Sequence, residues 1–78
     1  MQKSQHTKKY RKLLEALRNA REKAGLRQTD VSQTLGVYST FITKVEAGER
    51  RIDVVELAEL CQVYRVKLHS FLKSVKIE

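Results

Sequence analysis

Three hydroxyls and an amine lie close together in one short stretch of the chain, as Ser39, Thr40, Thr43 and Lys44. On a helix of 3.6 residues per turn, they share with Ala47 an arc of roughly 0–140° measured from Ser39. Phe41, Ile42, Val45 and Glu46 fill the arc from about 200 to 340°. One face is therefore apolar with a single acid, and the other is small and polar with a single base. Such a face can exchange hydrogen bonds with a partner. No nucleophile–base pair, Gly-rich phosphate loop or metal-ligand spacing accompanies it, so the expected activity is binding and not catalysis. Cys61 has no second cysteine to pair with, and His6 and His69 stand at opposite ends of the chain. A metal site needs about four ligands, so neither a metal nor another cofactor is expected. Cys61 falls on the apolar side of its helix and reads as a small core residue.

Two further charges face inward by the same periodicity. Arg21 falls within the stripe formed by Tyr10, Leu13, Leu14, Leu17 and Ala24, and Glu46 is the acid on the apolar face described above. A buried guanidinium without a partner is strongly destabilising, so Arg21 requires one.

The scaffold for these residues follows from punctuation. The 78 residues include no proline and three glycines, at 25, 36 and 48. Spacings of one helix plus one turn mark these glycines as C-terminal helix stops. No useful stretch alternates with period two, so the predicted fold class is all-α, with five helices. The first runs from about Lys8 to Ala24 and the second from Gln28 to Leu35, with Val31 and Leu35 inward. The third spans about Ser39 to Ala47. The fourth opens at Asp53, with Glu56 completing a capping box, and its stripe is Val54, Leu57, Leu60, Cys61 and Tyr64. The fifth runs from about Lys67 to Val75. This divides the chain into a basic arm over residues 1–9, a single compact domain over 10–75 and a tail over 76–78.

Sixteen Lys and Arg against nine Asp and Glu leave a net charge of +7, which points to an anionic partner. At 41% apolar the chain is too hydrophobic for a disordered basic tail. The excess is uneven: residues 1–23 hold eight basic and two acidic groups, whereas residues 24–48 hold two of each. Lys3, Lys8 and Lys9 are thus placed to reach an anion from the arm and the first helix. A basic stretch from Lys3 to Lys23 lying on a lipid surface would need bulky apolar residues exposed on that helix. Leu13, Leu14 and Leu17 are instead required for the core. No apolar run approaches the ~18 residues that span a bilayer, and the N-terminus lacks the apolar segment of a secretory signal. The expectation is a soluble cytoplasmic protein with no membrane partner and no evident small-molecule ligand.

Residues 28–47 form two short helices joined by three residues, a link that forces a steep crossing. A small polar face lets the second of them enter a DNA major groove about 12 Å wide. The run Gln28-Thr29-Asp30-Val31-Ser32-Gln33-Thr34-Leu35-Gly36-Val37, followed by Phe41-Ile42-Thr43-Lys44-Val45-Glu46-Ala47-Gly48-Glu49-Arg50-Arg51, resembles the Cro/repressor-type (Xre) helix-turn-helix family. That family includes phage repressors, restriction–modification controller proteins and antitoxins, and the resemblance extends from about Leu13 to Leu72. It implies a lambda-repressor-like domain that binds double-stranded DNA. It places Ser39, Thr40, Thr43 and Lys44 at base edges, Gln28 on a phosphate, and Arg50 and Arg51 along the backbone. It also pairs Arg21 with Glu46. Arg27 stands where a Thr or Ser cap is usual and Tyr38 where a small residue is common, and both are phosphate-contact candidates. Ile52 replaces a frequent proline. Arg65 replaces a frequent helix-ending glycine, so a left-handed backbone there carries strain.

Serine and threonine can bond any base pair, so direct readout is expected to be modest and DNA shape to supply the rest. Val55 and Val63 lie off the core stripe of the fourth helix and, with Val75 and Ile77 near the C-terminus, leave apolar surface unassigned in a monomer, so these four are the candidate seam of a homodimer. The expected function is that of a transcriptional regulator, a repressor acting as a homodimer on a pseudo-palindromic operator. The alternative is an antitoxin that binds both operator DNA and a toxin, and polymerase is a further candidate partner.

Overall fold

A computed structural model describes residues 7–77 of the chain, so His6, Lys3 and most of the basic arm, with Glu78 of the tail, lie outside the described residues. Among the described residues five helices follow one another: α1 Lys8–Lys23, α2 Gln28–Leu35, α3 Phe41–Glu46, α4 Val54–Val63 and α5 Leu68–Ser74. No strand occurs among the described residues, so the fold is all-α as its periodicity requires. Local side-chain chemistry starts α1 and α4 and, in part, α2. The Thr7 hydroxyl accepts from the Tyr10 backbone N–H at 3.1 Å and opens α1. At α4 the Asp53 carboxylate accepts from the Glu56 N–H at 2.7 Å, and the Glu56 carboxylate accepts from the Asp53 N–H at 3.0 Å. This is the reciprocal capping box expected from the spacing. At α2 only one arm forms, because Asp30 accepts from the Arg27 N–H at 2.8 Å but a guanidinium has no lone pair to return.

All five helices end in one hydrogen-bond pattern. The α1 terminus is typical: Gly25 N–H bonds to the Glu22 carbonyl at 3.0 Å and Leu26 N–H to the Arg21 carbonyl at 3.2 Å. This paired 5→2 and 6→1 closure needs a left-handed residue just past the helix. Glycine supplies it after α1, α2 and α3, while Arg65 and Lys76 supply it after α4 and α5 at φ 60° and 61°. Each of those two non-glycine residues costs on the order of 1–2 kcal/mol. The residues that follow them, Val66 and Ile77, pack against the core and offset that cost.

The core takes Leu13, Leu14 and Leu17 from α1, Val31 from α2, and Phe41, Ile42 and Val45 from α3. Leu57, Leu60 and Cys61 of α4, then Tyr64 and Phe71, complete it. Around it α3 packs against α1 and α2, α2 against α4, and α4 against α5. The Tyr10 hydroxyl accepts from the Ile52 N–H at 3.3 Å and ties the loop before α4 back to α1. The radius of gyration, 11.8 Å, is near the ~11 Å of a folded chain this long. No described helix is long and apolar enough to cross a membrane.

Three expectations need correction. Helix α3 begins at Phe41 and not Ser39: the Phe41 N–H bonds back to the Tyr38 carbonyl at 3.0 Å, which makes residues 38–41 a turn with Thr40 as the cap. Val54, assigned to the α4 stripe, is 67% exposed because it is the first residue of the helix and lies beyond the packed turns. Ala24 is likewise exposed past the end of α1. Among the proposed seam residues, Val63, Val75 and Ile77 are half-buried against their own core, and only Val55 is widely exposed. Ile77 is occupied because it closes the end of α5.

Candidate nucleic-acid interface

The outer surface of α2, its turn and α3 carries the polar groups singled out above. Ser39, Thr40, Thr43 and Lys44 are all exposed. Gly36, at φ 71°, ends α2 and lets the Val37 N–H reach the Ser32 carbonyl at 3.0 Å. The buried Ser32 hydroxyl makes a long, weak bond to the Ser39 carbonyl at 3.4 Å, which holds the turn against α2. Tyr38 is half-exposed at the tip of the turn, its ring edge-on to Phe41 with centroids 5.7 Å apart. The Lys44 ammonium lies 6.0 Å from the Tyr38 ring centroid, so turn and helix present their polar groups as one surface.

Beneath that surface, Arg21 and Glu46 meet. Arg21 Nε donates to Glu46 Oε2 at 2.7 Å, and a terminal guanidinium nitrogen donates to Oε1 at 3.1 Å. The other terminal nitrogen donates to the Leu26 carbonyl at 2.8 Å. Both side chains are almost wholly buried. Hydrogen bonding to Glu46 outweighs burial and holds the Arg21 guanidinium above its ordinary pKa, so it stays charged. One bidentate pair therefore pins the end of α3 to α1 and to the turn before α2.

Gln28, placed on a phosphate by resemblance, is engaged within the protein. Its Nε2 donates to Glu46 Oε1 at 2.9 Å and its Oε1 accepts from the Thr43 hydroxyl at 2.8 Å. Arg50 is engaged as well. Its guanidinium makes a bidentate pair with Glu56 at 2.7 and 2.9 Å, donates to the Arg51 carbonyl, and lies 4.6 Å from the Phe41 ring centroid. Hydrogen bonding to Arg50 holds the Glu56 carboxyl below its ordinary pKa. Arg27 and Arg51 are exposed. Arg27 folds back on Asp30 at 3.0 Å in solvent, and that contact lowers the Asp30 pKa. Elsewhere, burial pushes up the Cys61 thiol and the Tyr64 hydroxyl. A buried protonated thiol is a packing residue and not a nucleophile.

Sequence reasoning missed the Gln28 bridge and the Arg50–Glu56 pair. The first spans 18 and 15 residues and has no periodic signal. The second spans six, a separation that bridges the loop and the α4 cap. Glu56 was legible as a capping residue, but nothing in its spacing reveals that the same carboxylate also takes Arg50.

Two short helices crossing at a glycine turn, with the second buried on one side and small and polar on the other, define a helix-turn-helix DNA-binding unit. A family model described as a helix-turn-helix domain matches residues 12–70, and the chain belongs to that family. No curated protein matches the chain.

Proposed function

We propose that this protein is a sequence-specific transcriptional regulator of the Cro/repressor (Xre) type, acting as a homodimer on a pseudo-palindromic operator and repressing by occlusion. The observation that carries the reading is the exposed Ser39–Thr40–Thr43–Lys44 surface lying over the buried Arg21–Glu46 pair. In this reading α3 enters the major groove, with Thr43 and Lys44 on the helix and Ser39 and Thr40 contacting bases from the turn. Arg27, Tyr38 and Arg51 serve the flanking phosphates. Gln28 joins them through its second Nε2 hydrogen, and Arg50 acts mainly by fixing the loop. Two half-sites about 34 Å apart double the contacts one small module can make. The protein works by binding, without catalysis or a cofactor, in the cytoplasm.

An antitoxin-type role has one observation in its favour. An open groove of about 1170 Å³ lies between α1 and the α4–α5 end, lined in part by Ala16, Ala20, Leu26, Val63 and Phe71. A second protein could seat there while α3 holds DNA.

Titration on a duplex carrying the protein's own promoter tests the main reading. A dimer neutralising ~6–10 phosphates gives log K falling with log salt at a slope of about −5 to −9. An affinity independent of salt would overturn it. Thr40→Ala and Lys44→Ala should weaken specific binding more than non-specific binding. The Thr40 side chain makes no cap bond, so its removal leaves the start of α3 intact.

A further inference from the structure

We infer that Thr43 meets DNA as a hydrogen-bond acceptor only, so that each half-site selects a base bearing an exocyclic amine, cytosine or adenine, where Thr43 reaches the major groove. The inference rests on the proposed reading of α3 and narrows the sequence it selects.

Arg21 donates to both oxygens of Glu46, and an ionised carboxylate can only accept. The group facing Glu46 Oε1 at 2.9 Å must therefore be the NH₂ end of the Gln28 amide, which removes the usual ambiguity in amide orientation. The opposite end of that amide is a carbonyl oxygen, also an acceptor, and it lies 2.8 Å from Thr43 Oγ1. A hydroxyl has one hydrogen, and here it is committed to Gln28. What Thr43 shows to solvent is lone pairs. A free threonine reads any base pair, but this one does not. In the major groove cytosine presents N4–H₂ and adenine N6–H₂, whereas guanine and thymine present only acceptors at the corresponding positions. Guanine or thymine opposite Thr43 sets lone pair against lone pair, or else breaks the bond to Gln28. Lys44, adjacent on the same face, only donates, so the two neighbours ask for opposite chemistry. Gln28 is thus a positioning residue that sets the polarity of Thr43 without touching a base.

The test selects sites from a random duplex library with the wild type, Thr43→Val and Gln28→Ala. The wild type should show one position per half-site confined to cytosine or adenine. Thr43→Val should lose that restriction and keep the others. In Gln28→Ala the freed hydroxyl donates as well as accepts, so the same position should also admit guanine and thymine. Replacing the selected base in the wild-type site with 2-pyrimidinone for cytosine, or purine for adenine, removes the amine. That should cut wild-type affinity roughly 3–10-fold, the value of one hydrogen bond, and leave Thr43→Val little changed. Guanine or thymine at the Thr43-dependent position, or an unchanged preference in a folded Gln28→Ala, overturns the inference. Should Gln28→Ala fail to fold, the Thr43→Val and base-analogue arms decide alone. Selected sites with no position sensitive to Thr43 sink the inference and spare the regulator reading, whereas absence of any selected sequence sinks both.

Discussion

Helix α3 is held by two arginine–glutamate pairs of nearly equal geometry in unlike surroundings. Arg21–Glu46 and Arg50–Glu56 both close at 2.7 Å, and both are bidentate. The side chains of the first pair are 10% and 7% exposed; those of the second are 37% and 22% exposed. Distance alone would rank them equal. Desolvation does not, because an inner charge that loses its partner has no water to replace it, whereas an outer charge is rehydrated and screened. The inner pair also orients Gln28 and through it Thr43, so its role extends to the DNA-facing surface. The outer pair fastens the loop after α3 to the α4 cap, and its guanidinium covers Phe41.

The largest expected effect follows from breaking the inner pair. Arg21→Ala should cost about 3–5 kcal/mol, read as the shift in urea unfolding. For a domain of this size that is a large fraction of the ~4–12 kcal/mol expected at ~0.05–0.15 kcal/mol per residue. Combining Arg21→Met with Glu46→Leu should recover much of the loss, since no charge is then left buried. A single-variant cost near 1 kcal/mol would erase the distinction between the pairs. Arg50→Ala should come next, at about 1 kcal/mol for a partly exposed pair together with its ring contact. Its cost should shrink in 1 M salt, where the Debye length is about 3 Å, and the cost of Arg21→Ala should not. Equal salt dependence would mean that the two environments are alike.

The smallest effect sharpens the outer pair through pH. Arg50 holds the folded-state pKa of Glu56 below the ordinary 4.5, so between those two values the unfolded chain binds more protons. The contribution is therefore full above about pH 4.5 and is lost as pH falls through the depressed folded value. Asp30 shifts in the same direction, so the informative quantity is the difference between wild type and Glu56→Gln. That variant should lose stability at neutral pH and show a flatter acid limb. An acid limb of unchanged steepness would remove Glu56 as its source.

Much of the architecture is legible in the order of the residues. Gly25, Gly36 and Gly48 mark three helix ends, Asp53 with Glu56 marks a beginning, and Leu13, Leu14 and Leu17 mark a buried face. Each is a relation among residues within a turn or two, and backbone geometry alone enforces it. Arg21 and Glu46 were legible as inward charges for the same reason. Less legible were the ends of elements and the faces that meet. Val54 shares a stripe with core residues yet lies beyond the packing, and Val75 and Ile77 look spare until the closure of α5 folds them in. The Gln28 bridge was hidden altogether.

The division has a physical basis. Periodicity reports which side of one helix is apolar, and hydrogen-bonding rules report where that helix starts and stops, so local order of the chain carries the five-helix plan and the exposed polar face of α3. The packing of α2 against α3 then brings Gln28 between Glu46 and Thr43, and the docking of α4 brings Glu56 to Arg50. Contacts of that kind depend on angles between elements that no single element encodes. They settle which carboxylate holds Arg50, which hydroxyl has spent its proton, and so which hydrogen bonds the surface still has to offer.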